Sequence, residues 1–195
     1  MSGISTPWPE ACLVLTDCPR DVFTDAELRY AAELKLPKRR DEWLLSRAAA
    51  KRLAVSAGLT DDPTSVSVDR PHLLLNGTRT DWFVSLSHSG RYAAAAIARR
   101  PVGIDIQTIR ELSEDAAHLF LTDPESDEMR RCSLPHRILH FWSAKEAAWK
   151  QRLGAVDTLK QVQLALMSES ADGLRFQDVE TAIRGDFILA LTATS

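Results

Sequence analysis

The spacing of apolar and polar positions changes period several times along the chain, and each change marks an element. ACLVLTD (residues 11–17) predicts a short strand, and DAELRYAAELKL (25–36) has the spacing of an amphipathic helix opened by Thr24 or Asp25 as its cap. After Pro37, residues 38–59 predict a longer helix with Leu44, Leu45, Ala48 and Leu53 inward, ended by Gly58. SVSVD (65–69) and HLLLNG (72–77) predict a strand pair around Arg70-Pro71, and WFVSLSHS (82–89) with YAAAAIARR (92–100) predicts a hairpin through Gly90-Arg91. VGIDIQ (102–107) is a further strand, followed by helical segments over 113–120 and 124–132 and a longer one over 135–153. QVQLALM (161–167), GLRFQDVE (173–180) and FILALTA (187–193) close the chain as strands between turns at Asp172-Gly173 and Arg184-Gly185-Asp186.

Each half therefore reads as helices plus a small antiparallel sheet, joined near Arg99 to Pro101. The fold expected is α+β: two similar halves in a pseudo-twofold arrangement, residues 1–100 and 101–195, each a small antiparallel sheet with a long helix. The letters themselves show no internal repeat.

Composition narrows the function classes. The chain has 195 residues, is 45% hydrophobic and 26% charged, and carries a net charge of −3, which does not favour a nucleic-acid partner. Three cysteines, Cys12, Cys18 and Cys132, at irregular spacing indicate neither a disulfide framework nor a zinc site. The first twenty residues lack a basic start followed by a long apolar run, and no apolar stretch reaches the ~18 residues that a membrane-spanning helix needs. A cytoplasmic protein with no membrane partner is the expectation.

Two stretches carry candidate chemistry. In VGIDIQ, alternation puts Val102, Ile104 and Ile106 on one face and Gly103, Asp105 and Gln107 on the other. An aspartate inside so apolar a strand needs a partner if buried, and a bound cation would serve; a solvent-facing aspartate on a half-exposed sheet is the alternative. In FWSAKEAAWK (141–150), Trp142, Lys145, Glu146, Trp149 and Lys150 form one helical stripe. A surface Glu146–Lys150 pair beside two core tryptophans is one reading of it. Taken with Asp105, Glu146 makes a second: two carboxylates for a hard cation such as Mg²⁺, with a lysine one turn away to offset phosphate charge.

The pairing of VGIDIQ with FWSAKEAAWK, 41 residues apart from Asp105 to Glu146, resembles the paired signature of the 4'-phosphopantetheinyl transferases of the surfactin-synthetase-activating type. SLSHSG (85–90) is similar to that family's SHS segment, and RRDEWLLSRAAAKRL (39–53) to its basic helix. The resemblance spans roughly residues 38–150. It implies transfer of the phosphopantetheine arm of coenzyme A to a serine of an acyl or peptidyl carrier protein, with 3',5'-ADP leaving. Mg²⁺, or Mn²⁺ in its place, would be held by Asp105, Glu146 and Gln107; Glu146 would accept the serine proton, and Lys150 would stabilise the developing charge. For coenzyme A the resemblance points to Arg40, Arg47, Arg70, Ser87 and His88, with Lys38 and Arg39 as alternatives at the helix start. It puts Lys145 close to the phosphates or in a pair with an acid. A monomer is expected, with carrier contact between Arg110 and Pro135.

One position departs from the family pattern. Where members often carry a second acid, this chain has Gln107, whose carbonyl can ligate but adds no charge. A hydrolase built on Ser87 and His88 is a weaker reading, because SLSHSG lacks the G-x-S-x-G elbow and adjacent strand residues face opposite ways. A non-catalytic carrier-protein or coenzyme A binding module of the same fold is the other alternative.

Overall fold

The computed structural model describes residues 11–153 and 155–193. In the first half come β1 (Ala11–Leu15), α1 (Asp25–Glu33), α2 (Pro37–Ser56), β2 (Val66–Asp69), β3 (His72–Leu75), β4 (Thr78–Ser89) and β5 (Tyr92–Ala98). The second half runs β6 (Ile104–Thr108), α3 (Glu114–Ala117), α4 (Asp123–Arg131), α5 (Arg137–Gln151), β7 (Leu166–Glu169), β8 (Leu174–Phe176), β9 (Val179–Arg184) and β10 (Phe187–Thr192). The first sheet is ordered β1-β5-β4-β3-β2 and the second β6-β10-β9-β8-β7, so the same antiparallel topology occurs twice. Among the described residues no helix is long and apolar enough to cross a membrane.

The local signals explain most boundaries. Thr24, not Asp25, caps α1, in a capping box with Glu27. α2 takes Pro37 into its first turn, where the missing N–H costs nothing, and Gly58 sits just past its end with φ +71°. The β4–β5 hairpin turns through Gly90-Arg91, with Ser89 opposite Tyr92. α1 is shorter than its periodicity predicts. The predicted strand at 161–167 is mostly a 3₁₀ turn and loop before β7, and 173–180 divides into β8 and the start of β9. In the second sheet these strands lie at the β7 end, where β7 and β8 are only four and three residues long and pairing geometry overrides apolar pattern.

β5 explains how the halves meet. All seven of its residues are buried, four of them consecutive alanines. Ala95 and Ile97 pack with Ala49, Ala50 and Leu53 of α2. Tyr92, Ala94, Ala96 and Ala98 turn to the second half, against Val102, Ile104 and Ile106. Small side chains let layers approach from both sides, at the expense of the β-branched residues a strand usually prefers. The second half builds its own core around Phe120, Leu121, Phe141 and Phe176.

Candidate functional site

β6 comes to α5 through a glycine. A Cβ on Gly103 would lie 1.8 Å from the carbonyl oxygen of Ala147, so only glycine lets the strand run against the helix backbone. Two residues on, Asp105 emerges beside the second half of α5. Its carboxylate is only 1% exposed and is surrounded by donors. Ser87 Oγ donates to Oδ1 at 2.7 Å, Lys150 Nζ to Oδ1 at 2.8 Å, and Gln107 Nε2 to Oδ2 at 3.0 Å. Lys150 also donates to the Ile104 carbonyl at 3.0 Å. The apolar face of the strand, Ile104 and Ile106, is buried between the halves, so the alternation read from the letters holds and the solvent-facing reading of Asp105 is excluded.

Glu146 stands one turn before Lys150. Burial pushes its carboxyl above the ordinary range; the charge of Asp105 adds to that and Lys150 opposes it. A carboxyl group disfavoured by burial and by a neighbouring carboxylate is one that a cation would relieve. With the Gln107 amide they make an all-oxygen donor set, suited to a hard cation that keeps water or phosphate as further ligands. Among the described residues no group of three or more His, Cys, Asp or Glu side chains clusters to hold a metal, so protein donors alone would leave such an ion under-coordinated.

These residues form one wall of a cleft of about 620 Å³ between the halves. The opposite wall is α2, where Arg39, Glu42, Trp43, Ser46 and Arg47 follow the helical repeat, and Arg70 stands at the rim. Arg47 lies over the Trp43 ring, 4.8 Å from its centroid. Burial and the neighbouring Arg70 lower its pKa, the response of a guanidinium whose charge is not fully compensated. Among the described residues Arg39, Arg47 and Arg70 make no salt bridge, so three guanidiniums face the cleft without a carboxylate partner. His88 is half-exposed, its Nδ1 3.6 Å from Glu42 Oε1.

The cleft thus gathers Asp105, Glu146, Lys150, Gln107, Arg47, Arg70, Ser87 and His88 from both halves. Two of the assigned residues lie outside the lining of the cleft, and for Lys145 the structure shows the second of its two readings, a pair with an acid. Lys145 does not reach the cleft: it is fully buried on the other side of α5, where Nζ donates to Glu125 Oε2 at 2.7 Å and to the Val162 carbonyl. Glu125 is held below the ordinary carboxylate range, because hydrogen bonds from Lys145, Thr122 and Leu164 outweigh the opposing effect of burial. Lys145 and Glu146 are neighbours on a helix and point about 100° apart. Arg40 turns its guanidinium to Asp41, 3.4 Å away, and Arg39 lines the cleft instead. Both lie near the edge of the same helix face, and the choice between them is one of side-chain direction, which spacing does not encode. Glu42, Trp43, Ser46 and Trp142 also line the cleft without having been singled out for it on α2 or assigned a role on α5; on α2 the helical repeat through Arg39 and Arg47 was the available signal.

Comparison with known proteins points to one family. Residues 101–192 match the family model of the 4'-phosphopantetheinyl transferase superfamily. Over those residues the chain is similar to that superfamily. A 4'-phosphopantetheinyl transferase of Bacillus subtilis is 31% identical over 74 residues, 36% of this chain and 33% of the relative. Enterobactin synthase component D of Escherichia coli K12 is 31% identical over 134 residues, 64% of this chain and 58% of the relative. The chain therefore spans less than two thirds of either relative. The matched residues include Asp105 on β6 and Glu146 and Lys150 on α5, while the basic wall on α2 lies outside them.

Proposed function

We propose that the protein transfers the 4'-phosphopantetheine moiety of coenzyme A to a serine of an acyl or peptidyl carrier protein, releasing 3',5'-ADP in a Mg²⁺-dependent reaction. The observation that carries this reading is the facing of Arg39 and Arg47 on α2, with Arg70 at the rim, against Asp105, Glu146 and Lys150 within one cleft. A polyanion with two separated phosphate groups fits such a site. Arg39, Arg47 and Arg70 bind and orient phosphates, and Trp43 offers Arg47 a rigid backing.

In the reaction the serine Oγ attacks the pyrophosphate phosphorus that bears the pantetheine arm. The bond from that phosphorus to the bridging oxygen breaks, and the bridging oxygen leaves with 3',5'-ADP. Glu146, whose raised pKa makes it a better proton acceptor than an ordinary carboxylate, takes the serine proton directly or through a water. Lys150 offsets charge on the non-bridging oxygens. Asp105 and Glu146, with the Gln107 carbonyl as a neutral third donor, would hold Mg²⁺, which would supply further neutralisation of the pyrophosphate. Both walls come from one chain, so a monomer suffices.

Intact-protein mass spectrometry on an apo carrier protein incubated with coenzyme A and Mg²⁺ tests the proposal. A gain of one phosphopantetheine, abolished by Asp105→Ala and by Lys150→Ala, is expected. No gain with fatty-acid, polyketide or peptide carriers overturns the transferase reading in favour of a binding module.

A further inference from the structure

β4 and β6 belong to different sheets and share no backbone ladder. They are nevertheless joined, by side chains with a period of two. Ser85 Oγ accepts from the Ile104 N–H at 3.1 Å, Ser87 Oγ donates to Asp105 Oδ1 at 2.7 Å, and Ser89 Oγ accepts from the Thr108 N–H at 2.9 Å. Ser89 Oγ also donates to Thr108 Oγ1 at 3.2 Å. Alternate residues of a strand share a face, so all three serines point at β6, while Val84 and Leu86 point to the core under α2. The middle rung differs from its neighbours. Ser85 and Ser89 satisfy backbone N–H groups, whereas Ser87 meets a buried carboxylate.

We propose that the alternate serines of β4 form a hydroxyl seam between the two halves, and that Ser87 is its functional rung, a positioning residue that holds the Asp105 carboxylate in place. The proposal gives Ser87 a partner other than coenzyme A, and its metal arm rests on the transferase reading above. Ser87 is buried, with its hydroxyl committed to Asp105 Oδ1. Lys150 reaches the same oxygen, so Ser87 sets which way the carboxylate faces when that lysine turns to a phosphate. A hydroxyl that orients a metal-binding carboxylate is conserved in effect by any side chain that keeps the donor, and its loss weakens metal binding by roughly 10–100-fold.

The test compares Ser87→Ala, Ser87→Thr and Ser85→Ala in the full chain. Mn²⁺ is titrated without coenzyme A, kcat and the KM for coenzyme A are measured separately, and melting is followed in metal-free protein alone and combined with Asp105→Asn. Expected for Ser87→Ala are Mn²⁺ binding weaker by at least about tenfold, a lower kcat, and a KM for coenzyme A within about twofold of the parent. Ser87→Thr restores Mn²⁺ binding, and Ser85→Ala lowers the melting temperature without changing Mn²⁺ binding. In metal-free protein the Ser87→Ala and Asp105→Asn shifts are non-additive. A raised KM for coenzyme A with unchanged Mn²⁺ affinity overturns the proposal, as does an equal Mn²⁺ loss in Ser85→Ala, which indicates general loosening of the seam. Failure of the parent protein to bind Mn²⁺ counts against the metal reading, while additive metal-free shifts count against the Ser87–Asp105 partnership by themselves.

Discussion

Glu146 is held in surroundings that disfavour its charge, and that is visible in stability as well as in activity. Its pKa is raised on folding, so the stability linked to it is full below the unfolded carboxylate pKa and is lost as pH rises through the folded one. At neutral pH the metal-free protein therefore carries an unfavourable charge, and Glu146→Gln is expected to raise its melting temperature while lowering transfer by roughly 10²–10⁴-fold. Calorimetry beside the carrier mass assay checks both. At Gln107 the amide donates to Asp105 Oδ2, so Gln107→Glu replaces a donor with a like charge. The expected result is a lower melting temperature without metal and a larger upward shift on adding Mg²⁺; an unchanged Mg²⁺ shift would show that position 107 is not a ligand.

Two contacts at the scale of elements place the site. Gly103 lets β6 lie against α5, and a methyl there meets backbone rather than a movable side chain. Gly103→Ala is expected to cost about 1–3 kcal/mol or more and to lower activity by shifting Asp105 away from Lys150, measured by denaturant melts and the mass assay. On the far side of α5, Lys145 ties that helix to α4 through Glu125, whose other oxygen accepts from the Leu164 N–H. Lys145→Met leaves Glu125 buried without its cation, with an expected loss of roughly 3–5 kcal/mol and no change in the KM for coenzyme A of the folded protein. The adjacent letters K and E of the signature therefore serve different ends: Glu146 faces the cleft, and Lys145 holds the scaffold behind it.

Across the whole molecule the halves share an apolar interface through β5 and β6, so unfolding in urea is expected to be one transition, with tryptophan fluorescence and circular dichroism coincident. Acid should weaken it. His140 is buried, its Nδ1 bonded to Thr181 Oγ1, and burial with the nearby His136 lowers its pKa to about 4 from an ordinary 6.5. The unfolded chain takes up the proton first, so this stability is present above pH 6.5 and is lost as pH falls through that window, by about 3 kcal/mol at most. His140→Gln is expected to flatten the corresponding slope in urea melts between pH 6.5 and 4. The helices α2 and α5, the β4–β5 hairpin and the faces of β6 were legible in the letters, because period, caps and turn residues act within a few positions of one another. So was the meeting of Asp105 and Glu146 in one cleft, to which the motif pair pointed. That the chain folds as two similar α+β halves was legible too, but the order of strands within each sheet was not, since different side chains fill the same topology in each half. Nor was the choice of Arg39 over Arg40, the commitment of Lys145 to Glu125, or the meeting of Ser87 with Asp105. These depend on which surfaces face each other across long sequence separations, and only packing of the two halves brings those surfaces together.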